Sequence, residues 1–481
     1  MLLNKTTFKD YKEYPEKVLQ FGEGNFLRCF VDWMFHELNK SGKFNGSVVA
    51  VQPIANGMAN MLNDQDGLYT IYLRGLKNGQ AESNHETVDV ISRAINPYED
   101  FNAYLKTAEQ PEMRYIISNT TEAGIAYDET DVPTLTPPNS FPAKLTVWLN
   151  HRFKTFNGDA SKGVHIIPCE LIEKNADNLK RIVLQLADRW ALGEDFVNWL
   201  NTASTFSNTL VDRIVPGYPR ERIEEITAEL GYEDKQVVEG EHFHLWVIEG
   251  PESLQQELPF PSIGLDVKYV KDMTPYRTRK VRILNGAHTT LVPVAYLYGL
   301  DTVRESVEHP VVGKFIKEAI FDEIIPTLDL SKEELEQFAN DVIDRFRNPY
   351  IKHLLMSISL NSWSKFETRV LPSLLEYKNR KGSIPQKLSF ALAATIAFYR
   401  GKRGEEAISL NDDLVLMELL KTAWSKYDGS DESIESVVVE VLGFEKNWKM
   451  DLNKVEGLTA AVTKHLVNIV NNGMEKAVET V

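Results

Sequence analysis

The stretch KVLQFGEGNFLR, residues Lys17–Arg28, decides the fold. A short apolar run ends at Phe21, and a helical pattern begins at Asn25. Between them lie Gly22 and Gly24, and glycines in this position let the backbone approach a dinucleotide pyrophosphate at the start of a helix. The segment therefore predicts the first strand, turn and helix of a βαβ unit. The alternative is a plain strand-to-helix turn that needs glycine for a positive φ.

On either side of this stretch, β-type runs alternate with helical segments through the first half of the chain. The runs lie at residues 17–22, 47–54, 68–73, 87–92, 114–119, 164–171 and 209–215, and a helix is expected from about 25 to 40. Such alternation predicts a mainly parallel, doubly wound sheet. From about residue 274 the patterned runs have helical periodicity, at 280–298, 311–325, 332–346, 385–400 and 456–471. We expect an α/β N-terminal Rossmann-type domain followed by a mostly α-helical C-terminal domain.

Composition narrows the class of protein. The chain has 481 residues, enough for two domains, and a formal net charge of −16 that would repel nucleic acid and anionic membranes. Cys29 and Cys169 are the two cysteines, and they have neither a disulfide framework nor a zinc-type spacing. The N-terminus lacks the apolar core of a signal peptide, and the longest apolar stretch, 390–398, is too short to span a bilayer. We expect a cytoplasmic protein with no membrane or nucleic-acid partner.

The cofactor expectation extends beyond the glycine turn. The second strand ends in Val51-Gln52-Pro53, where an acid that binds the ribose is expected, and no Asp or Glu is present. No Arg or Lys lies nearby either, which favours NAD over NADP and leaves the ribose contact open.

A later strand ends at Ser118, at what should be the carboxyl edge of the sheet, where ligands bind in open α/β folds. The alternative is a turn that caps the next helix. The cofactor-binding candidates are Phe21, Gly22, Gly24, Asn25, Phe26, Arg28, Gln52, Asn119, Thr120 and Thr121. The Pro- and Gly-rich stretch 250–264 supports a domain boundary near residues 250–275. We assign residues 1–268 to an NAD-binding Rossmann-type domain and residues 269–481 to a helical substrate and catalytic domain.

A second constellation opens the helical half. At about 100° per helical residue, Lys280, Asn285 and His288 fall within an arc of roughly 140° and can face one cleft. Hydride transfer from an alcohol requires a base for the hydroxyl proton and donors for the developing alkoxide, and these three side chains supply both without a metal. The alternative is that Lys280 lies on a solvated helix end and His288 packs in the core.

Several strings of the chain resemble one known family. The chain resembles the mannitol dehydrogenase family of polyol-specific long-chain dehydrogenases along almost its whole length. The resemblance lies in the Lys-x4-Asn-x2-His array, the GxGxF turn followed by Arg, and VDRI at 211–214. The longer strings QFGEGNFLR, QDGLYT, SNTTEAGI, IIPCELI, STFSNTLVDRIV, NGAHT and RFRNPYIKH look most like the branch that interconverts D-tagaturonate and D-altronate in hexuronate breakdown.

This resemblance implies roles for individual residues. It implies NAD as the cofactor, no zinc, Lys280 as the general acid and base, and Asn285 as the residue that holds the carbonyl or alkoxide oxygen. His288 would contact the adjacent hydroxyl, Asp212 would order the proton path, and Lys365 matches a substrate-side lysine. The resemblance also suggests a monomer.

Three positions depart from the members that oxidise mannitol. Leu171 stands where a second oxyanion Asn is expected, Arg277 where those members have Glu, and Ser357 where they have a substrate-binding Arg. The loss of an acid and the gain of Arg277 suit a carboxylated sugar. The candidate cations for its carboxylate are Arg277, Arg347, Lys352 and Lys365, and His353 is a further candidate for the substrate side. Each of them is equally well explained as an ordinary surface or packed residue.

Two rival functions remain open at this stage. One is the reduction of fructuronate to mannonate, a substrate that differs in the configuration of one carbon and that spacing arguments cannot distinguish. The other is a non-catalytic NAD-binding sensor of sugar acids, because fold does not imply function. The joint presence of Lys280, Asn285 and His288 argues against the sensor.

Overall fold

A computed structural model of the chain describes residues 1–77, 79–120 and 123–481. Thr121, one of the cofactor candidates, lies outside the described residues. The chain divides into two compact units, Met1–Gly75 with Glu82–Met273 and Leu76–Ala81 with Thr274–Val481. None of the helices in the described ranges has the length and apolar content needed to cross a membrane.

The strands of the first unit are short and mostly buried. In chain order they are β1 (Glu16–Phe21), β2 (Ser47–Val51), β3 (Tyr69–Lys77), β4 (Gln80–Val88), β5 (Ile91–Ile95), β6 (Tyr115–Ser118), β7 (His165–Pro168), β8 (Thr205–Phe206), β9 (Asn208–Asp212), β10 (Val238–Gly240), β11 (Leu245–Glu249) and β12 (Val267–Val270).

The main sheet of the described residues has the order β5-β2-β1-β6-β7-β8, and the pairings along it are parallel. The strand order reverses between β1 and β6, which is the switch point where ligands bind in doubly wound folds. At this point Phe21, the last residue of β1, lies opposite Val51 of β2 and Ser118 of β6. The predicted parallel, doubly wound sheet is confirmed.

Alternate residues of the sheet enter two different hydrophobic cores. On β1, Val18 belongs to one core, and Leu19 and Phe21 belong to the other. On β2, Ala50 and Val51 divide in the same way. Both faces of the sheet are therefore covered, as expected for a parallel sheet, and this explains why its strands read as nearly continuous apolar runs.

Helices cover these two faces. Their bounds are α1 (Asn25–Leu27), α2 (Trp33–Lys40), α3 (Ala59–Asn63), α4 (Phe101–Ala108), α5 (Phe141–Thr155), α6 (Asn175–Arg189), α7 (Glu194–Ala203), α8 (Ile223–Leu230) and α9 (Glu252–Glu257). A π-helical turn, Arg28–Asp32, joins α1 to α2, so the predicted helix from 25 to 40 is helical throughout but contains one wide turn.

Several of the predicted strands differ in detail. β2 ends at Val51 and not at residue 54, because Pro53 has no N–H to donate and Gln52 bonds to the loop that follows. The run 87–92 is divided at Asp89, where the chain leaves β4 and enters β5. The run 209–215 forms β9, which pairs antiparallel with β11 in a separate sheet of order β12-β11-β9.

The second unit is mostly helical, as predicted. Its helices are α10 (Thr274–Arg279), α11 (Gly286–Tyr298), α12 (Val303–Glu308), α13 (Pro310–Glu318), α14 (Lys332–Phe346), α15 (Leu355–Ile358), α16 (Ser362–Arg369), α17 (Leu371–Lys381), α18 (Gln386–Phe398), α19 (Leu414–Ser425), α20 (Asp431–Leu442), α21 (Glu445–Trp448), α22 (Leu458–Asn472) and α23 (Met474–Val478). A two-stranded ribbon, β13 (Lys402–Arg403) and β14 (Glu406–Ala407), accompanies them.

Two helices form the centre of this unit. α18 is buried from Leu388 to Phe398 on every face, and α11 is buried over most of its length from Gly286 to Tyr296. A helix that is apolar all round belongs in the interior of a domain. α18 packs against both α11 and α22, so α11 is held in the interior of the unit.

Candidate active site

The glycine turn after β1 depends on backbone geometry. Gly22 has a φ of +117°, and its N–H donates a hydrogen bond of 2.9 Å to the carbonyl of Val51. A Cβ at Gly22 would lie 2.9 Å from the carbonyl oxygen of Asn119, so no side chain fits. At Gly24, by contrast, no atom lies within 4 Å of an added Cβ. The turn leaves open space at the start of the helix, where a pyrophosphate group would be accommodated.

The polar side chains of this turn bond within the fold. The buried guanidinium of Arg28 donates to the carbonyl of Glu23 at 3.2 Å, to Oδ1 of Asn25 at 2.7 Å, and to the carbonyl of Gln236. Phe26 is half-buried and packs against the core. We infer that Arg28 holds the turn in shape, because its donors are engaged inside the unit.

Gln52 organises the loop at the position where a ribose-binding acid was expected. Its Nε2 donates to the carbonyls of Ile54 and Ala55 at 2.9 and 3.0 Å. Glu23, which the sequence did not single out, accepts a hydrogen bond of 2.9 Å from the N–H of Met58 at the other end of the same loop. Burial raises the pKa of Glu23. The loop is thus closed by Gln52 and Glu23 together.

The end of β6 is fixed by a buried glutamate that the sequence also did not reveal. Glu170 accepts hydrogen bonds from the Ser118 hydroxyl at 3.0 Å and from the N–H and hydroxyl of Thr120 at 3.0 and 2.9 Å. Asn119 Nδ2 donates 2.8 Å to the carbonyl of Cys169. Burial raises the pKa of Glu170. The sequence contains a signal for this contact, because Ser118-Asn119-Thr120 stands at the end of β6 and Glu170 follows the end of the neighbouring strand β7.

A cavity of about 700 Å³ lies at this carboxyl edge of the first unit. Its lining residues come from the loop after β2, the segment after β6 and the start of α5: Pro53, Ile54, Thr120, Ala123, Gly124, Ala126, Tyr127, Asp128, Glu129, Asn139, Ser140 and Phe141. The lining offers apolar and aromatic surface that suits a base and polar groups that suit a ribose.

In the second unit, the predicted catalytic residues lie on one helical run that is not a regular α-helix. Residues Lys280–Asn285 form a π-helical turn, and the N–H of Gly286 donates to the carbonyl of Val281, five residues earlier. The arc of roughly 140° assumed 100° per residue, and that assumption is wrong here. A π turn sets residues five apart nearer to the same face, and such turns are frequent at functional sites.

Asn285 and His288 carry polar groups that the rest of the described chain does not satisfy. Nε2 of His288 is buried and has no hydrogen-bond partner among the described residues. The ring of His288 stacks on Phe346 with centroids 4.2 Å apart and meets His353 edge-on at 5.0 Å. The side-chain amide of Asn285 is half-buried, and within residues 1–77, 79–120 and 123–481 no hydrogen bond engages it. Neither group is held by another residue of those ranges, as expected of groups that bond to a ligand.

Burial is the main reason that the pKa of His288 lies well below its usual value. The remaining contributions come, in order, from His353, Arg345, Arg369 and Lys365. His288 is therefore neutral at neutral pH, and the charges that surround it are mostly positive. These surroundings favour a negative charge close to His288.

The cations that the sequence proposed for a substrate carboxylate differ in their surroundings. Lys365 is half-buried and donates a hydrogen bond of 2.7 Å to the carbonyl of Ile358. Arg347 lies 3.9 Å from Asp344, and Lys352 is exposed. Arg277 lies in α10 and is half-buried.

Two further cations near His288 were missed. Arg345 of α14 and Arg369 of α16 both contribute to the potential at His288, whereas the neighbouring Arg279 is paired with Glu334 at 2.9 Å. The only sequence signal for Arg369 was its spacing of four from Lys365 on one helix.

The remaining predicted positions lie as follows. Asp212 is buried at the end of β9 in the first unit. Leu171, which stands where an Asn was expected, is exposed after β7, and Ser357 is exposed on α15.

A group of metal-binding type in the first unit, His36, Glu37 and Glu86, already has a cation. Nζ of Lys40 lies 2.7 Å from Glu37 and 2.6 Å from Glu86. Although burial lowers it, hydrogen bonds to Asp89 and Glu86 raise the pKa of His36 to about 9. His36, Lys40 and the two glutamates therefore form an ion-pair network in this structure.

Two family models match the chain. The mannitol dehydrogenase Rossmann domain matches residues 16–262, and the mannitol dehydrogenase C-terminal domain matches residues 272–470. The chain belongs to the mannitol dehydrogenase family. The family and the two-part fold predicted from the motifs are confirmed, and with them the expected class of enzyme, an oxidoreductase that uses NAD.

Relatives within the mannitol dehydrogenase family match over the full length. The altronate oxidoreductase of Bacillus subtilis (strain 168) is 50% identical over 477 residues, 99% of this chain and 97% of the relative. The altronate oxidoreductase of Phocaeicola vulgatus is 50% identical over 480 residues, 99% of both chains.

Two solved structures share the fold. A D-sorbitol dehydrogenase in substrate-free form superimposes with a TM-score of 0.82 at 20% identity, covering 99% of this chain and 100% of the other. The Pseudomonas fluorescens mannitol 2-dehydrogenase, in a ternary complex with NAD and D-mannitol, has a TM-score of 0.66 at 19% identity, covering 100% and 99%.

Proposed function

We propose that the chain catalyses the reversible, NADH-dependent reduction of D-tagaturonate to D-altronate, with Lys280 as the acid and base. The observation that carries this proposal is the segment from Lys280 to His288, in which Nε2 of His288 is buried without a partner among the described residues and the half-buried amide of Asn285 lies on the same helical run as the lysine. Identity of 50% over nearly the whole length to two altronate oxidoreductases supports the choice of substrate.

The two halves of the chain take different parts in this reaction. Residues 1–268 would bind NAD through the glycine turn at Gly22 and Gly24 and through the cavity at the carboxyl edge of the sheet. Residues 269–481 would bind the sugar acid and hold the proton-transferring groups. We also propose that the enzyme acts as a monomer in the cytoplasm.

The reduction needs a hydride, a proton and a stabilised oxygen. NADH, when bound, supplies the hydride to the keto carbon. The ammonium of Lys280 gives its proton to the carbonyl oxygen as that oxygen becomes an alkoxide, and it takes the proton back in the reverse direction. Asn285 donates a hydrogen bond to the same oxygen, which stabilises the developing negative charge.

The other residues orient the substrate and restore the proton. Neutral His288 would bond through Nε2 to the hydroxyl next to the keto group, since this nitrogen has no partner in the described part of the chain. Asp212 would order the path by which Lys280 regains its proton from solvent. Lys365 would lie on the substrate side, where its positive charge suits a carboxylated sugar.

The test is the rate of NADH oxidation with D-tagaturonate, D-fructuronate and D-fructose in parallel. We expect the highest kcat/KM with D-tagaturonate. A preference for D-fructuronate would keep the enzyme class but overturn the substrate. Tight NADH binding without turnover of any keto sugar would support the sensor and contradict the proposed enzyme.

A further inference from the structure

One face of α16 carries two positive side chains. Lys365 and Arg369 are four residues apart, so they lie one turn from each other on the same face of the helix, and both are half-buried. Trp363 and Phe366 lie on a neighbouring face and are fully buried in the core of the second unit. The buried aromatic side fixes the helix and therefore the direction in which its basic face points.

A glycine brings this face next to the catalytic segment. A Cβ at Gly286 would lie only 3.1 Å from the carbonyl oxygen of Arg369, so the start of α11 and the end of α16 are in close backbone contact. Gly286 stands between Asn285 and His288 in the sequence. The basic face of α16 is thus adjacent to the residues that we propose to contact the reacting end of the substrate.

Arg369 differs in its partners from two other arginines of the second unit. Arg282 donates to the hydroxyl of Ser373 at 3.4 Å, and Arg304 is paired with Glu308 at 3.1 Å. The guanidinium of Arg369 has neither a hydrogen bond nor a carboxylate partner anywhere in the described ranges, although burial lowers its pKa. A partly desolvated guanidinium without an anion is costly unless a ligand supplies one.

The nearby acid is already engaged. Asp412, whose charge reaches Lys365, accepts hydrogen bonds from the hydroxyl of Tyr399 at 2.5 Å and from the N–H of Trp363 at 3.2 Å. It therefore holds the N-terminal end of α16, while Arg369 lies at the other end. The excess positive charge beside His288 stays available to a substrate.

The geometry points to Arg369 as the residue that binds the carboxylate of the sugar acid, with Lys365 beside it, so that Arg369 selects acidic over neutral ketoses. A guanidinium presents two parallel N–H donors that match the two oxygens of a carboxylate, which an ammonium cannot do. This inference rests on the proposed function, because it assumes a keto sugar acid whose other end reaches Asn285 and His288.

The experiment compares Arg369→Gln and Arg369→Lys with the unchanged enzyme on D-tagaturonate and on D-tagatose, the neutral ketose of the same configuration. We expect Arg369→Gln to lower kcat/KM for D-tagaturonate by about 100-fold, mainly through KM, and to change that for D-tagatose less than about 3-fold. Arg369→Lys should lie between the two, because it keeps the charge and loses the paired donors. Arg304→Gln removes an equal charge from an exposed ion pair and should change neither value.

The outcomes separate the two proposals. If the unchanged enzyme prefers D-fructuronate, the substrate assignment fails, and the same comparison with D-fructuronate and D-fructose still tests Arg369. If Arg369→Gln lowers kcat/KM equally for both substrates, or lowers kcat with KM unchanged, Arg369 does not bind the carboxylate, while the enzyme remains a reductase. If no keto acid is reduced, both proposals fail. Should Arg369→Gln not fold, the KM of Arg369→Lys decides, and a KM equal to that of the unchanged enzyme contradicts the inference.

Discussion

The glycine turn of the first unit and the segment Asn285–His288 of the second unit treat their polar groups in opposite ways. Around the turn, Arg28 and Gln52 are hydrogen-bonded within the fold. In the second segment, the amide of Asn285 and Nε2 of His288 find no partner among the described residues. The first region offers a ligand its backbone and open space, and the second offers side chains.

This difference predicts what substitutions do. Buried polar groups that are bonded inside the protein contribute to folding, and removing them leaves partners unsatisfied at a cost of about 1–3 kcal/mol each. Groups that are held without a partner contribute little to folding, so their removal should change activity and leave the free energy of unfolding nearly constant. The following variants test this contrast, from the largest expected effect to the smallest.

Replacement of Lys280 should have the largest effect. Lys280→Ala removes the group that we propose to transfer the proton, so kcat should fall by about 10²- to 10⁴-fold. Binding of NADH, followed by its fluorescence, should not change. Lys332→Ala, at an exposed lysine of α14, is the control and should keep full activity. Equal rates for the two variants would remove Lys280 from the mechanism.

The glycines of the turn separate strain from ligand contact. Gly22→Ala places a Cβ 2.9 Å from the Asn119 carbonyl at a φ of +117°, so the free energy of unfolding should fall by about 1–3 kcal/mol. Gly24→Ala has open space and should leave stability unchanged, but it should weaken NADH binding because the cofactor backbone needs that space. Urea unfolding and NADH titration measure both. If Gly24→Ala binds NADH as tightly as the unchanged enzyme, the pyrophosphate does not bind at this turn.

The neutral state of His288 gives a smaller, pH-dependent effect. In the unfolded chain the imidazole takes up a proton as the pH falls below its usual pKa near 6.5, but burial keeps it neutral in the folded protein. Because only the unfolded chain gains this proton, the free energy of unfolding falls as the pH drops below 6.5. Relative to His288→Gln, the native protein should lose about 1 kcal/mol between pH 7.0 and 5.5. If the native protein and His288→Gln lose the same free energy of unfolding between the two pH values, His288 is protonated in the folded protein.

The fold could be predicted from sequence where burial imposes a pattern. β1 and its turn combine an apolar run with Gly22, whose conformation leaves no alternative residue, and both were predicted. β4 was missed because its residues Gln80–Glu86 are polar and show no alternation. The π turn at Lys280–Asn285 was missed because hydrophobic periodicity assumes 3.6 residues per turn.

Sequence spacing could predict only those residues of the site that lie close together along the chain. Lys280, Asn285 and His288 are close in sequence, so spacing could group them. Arg369 comes near His288 only because Gly286 permits a backbone contact between α11 and α16, which no local pattern contains. Arg347 and Lys352 had the right charge, but one lies near Asp344 and the other is exposed.

The most direct test compares Asn285→Ala with Gln52→Ala by urea unfolding and by kcat/KM for D-tagaturonate. We expect Asn285→Ala to lower kcat/KM by about 10²- to 10³-fold and to leave the free energy of unfolding within about 0.5 kcal/mol of the unchanged enzyme. Gln52→Ala should instead lower the free energy of unfolding by about 1–3 kcal/mol. If Asn285→Ala destabilises the fold as much as Gln52→Ala, or keeps its activity, the contrast between the two regions is wrong.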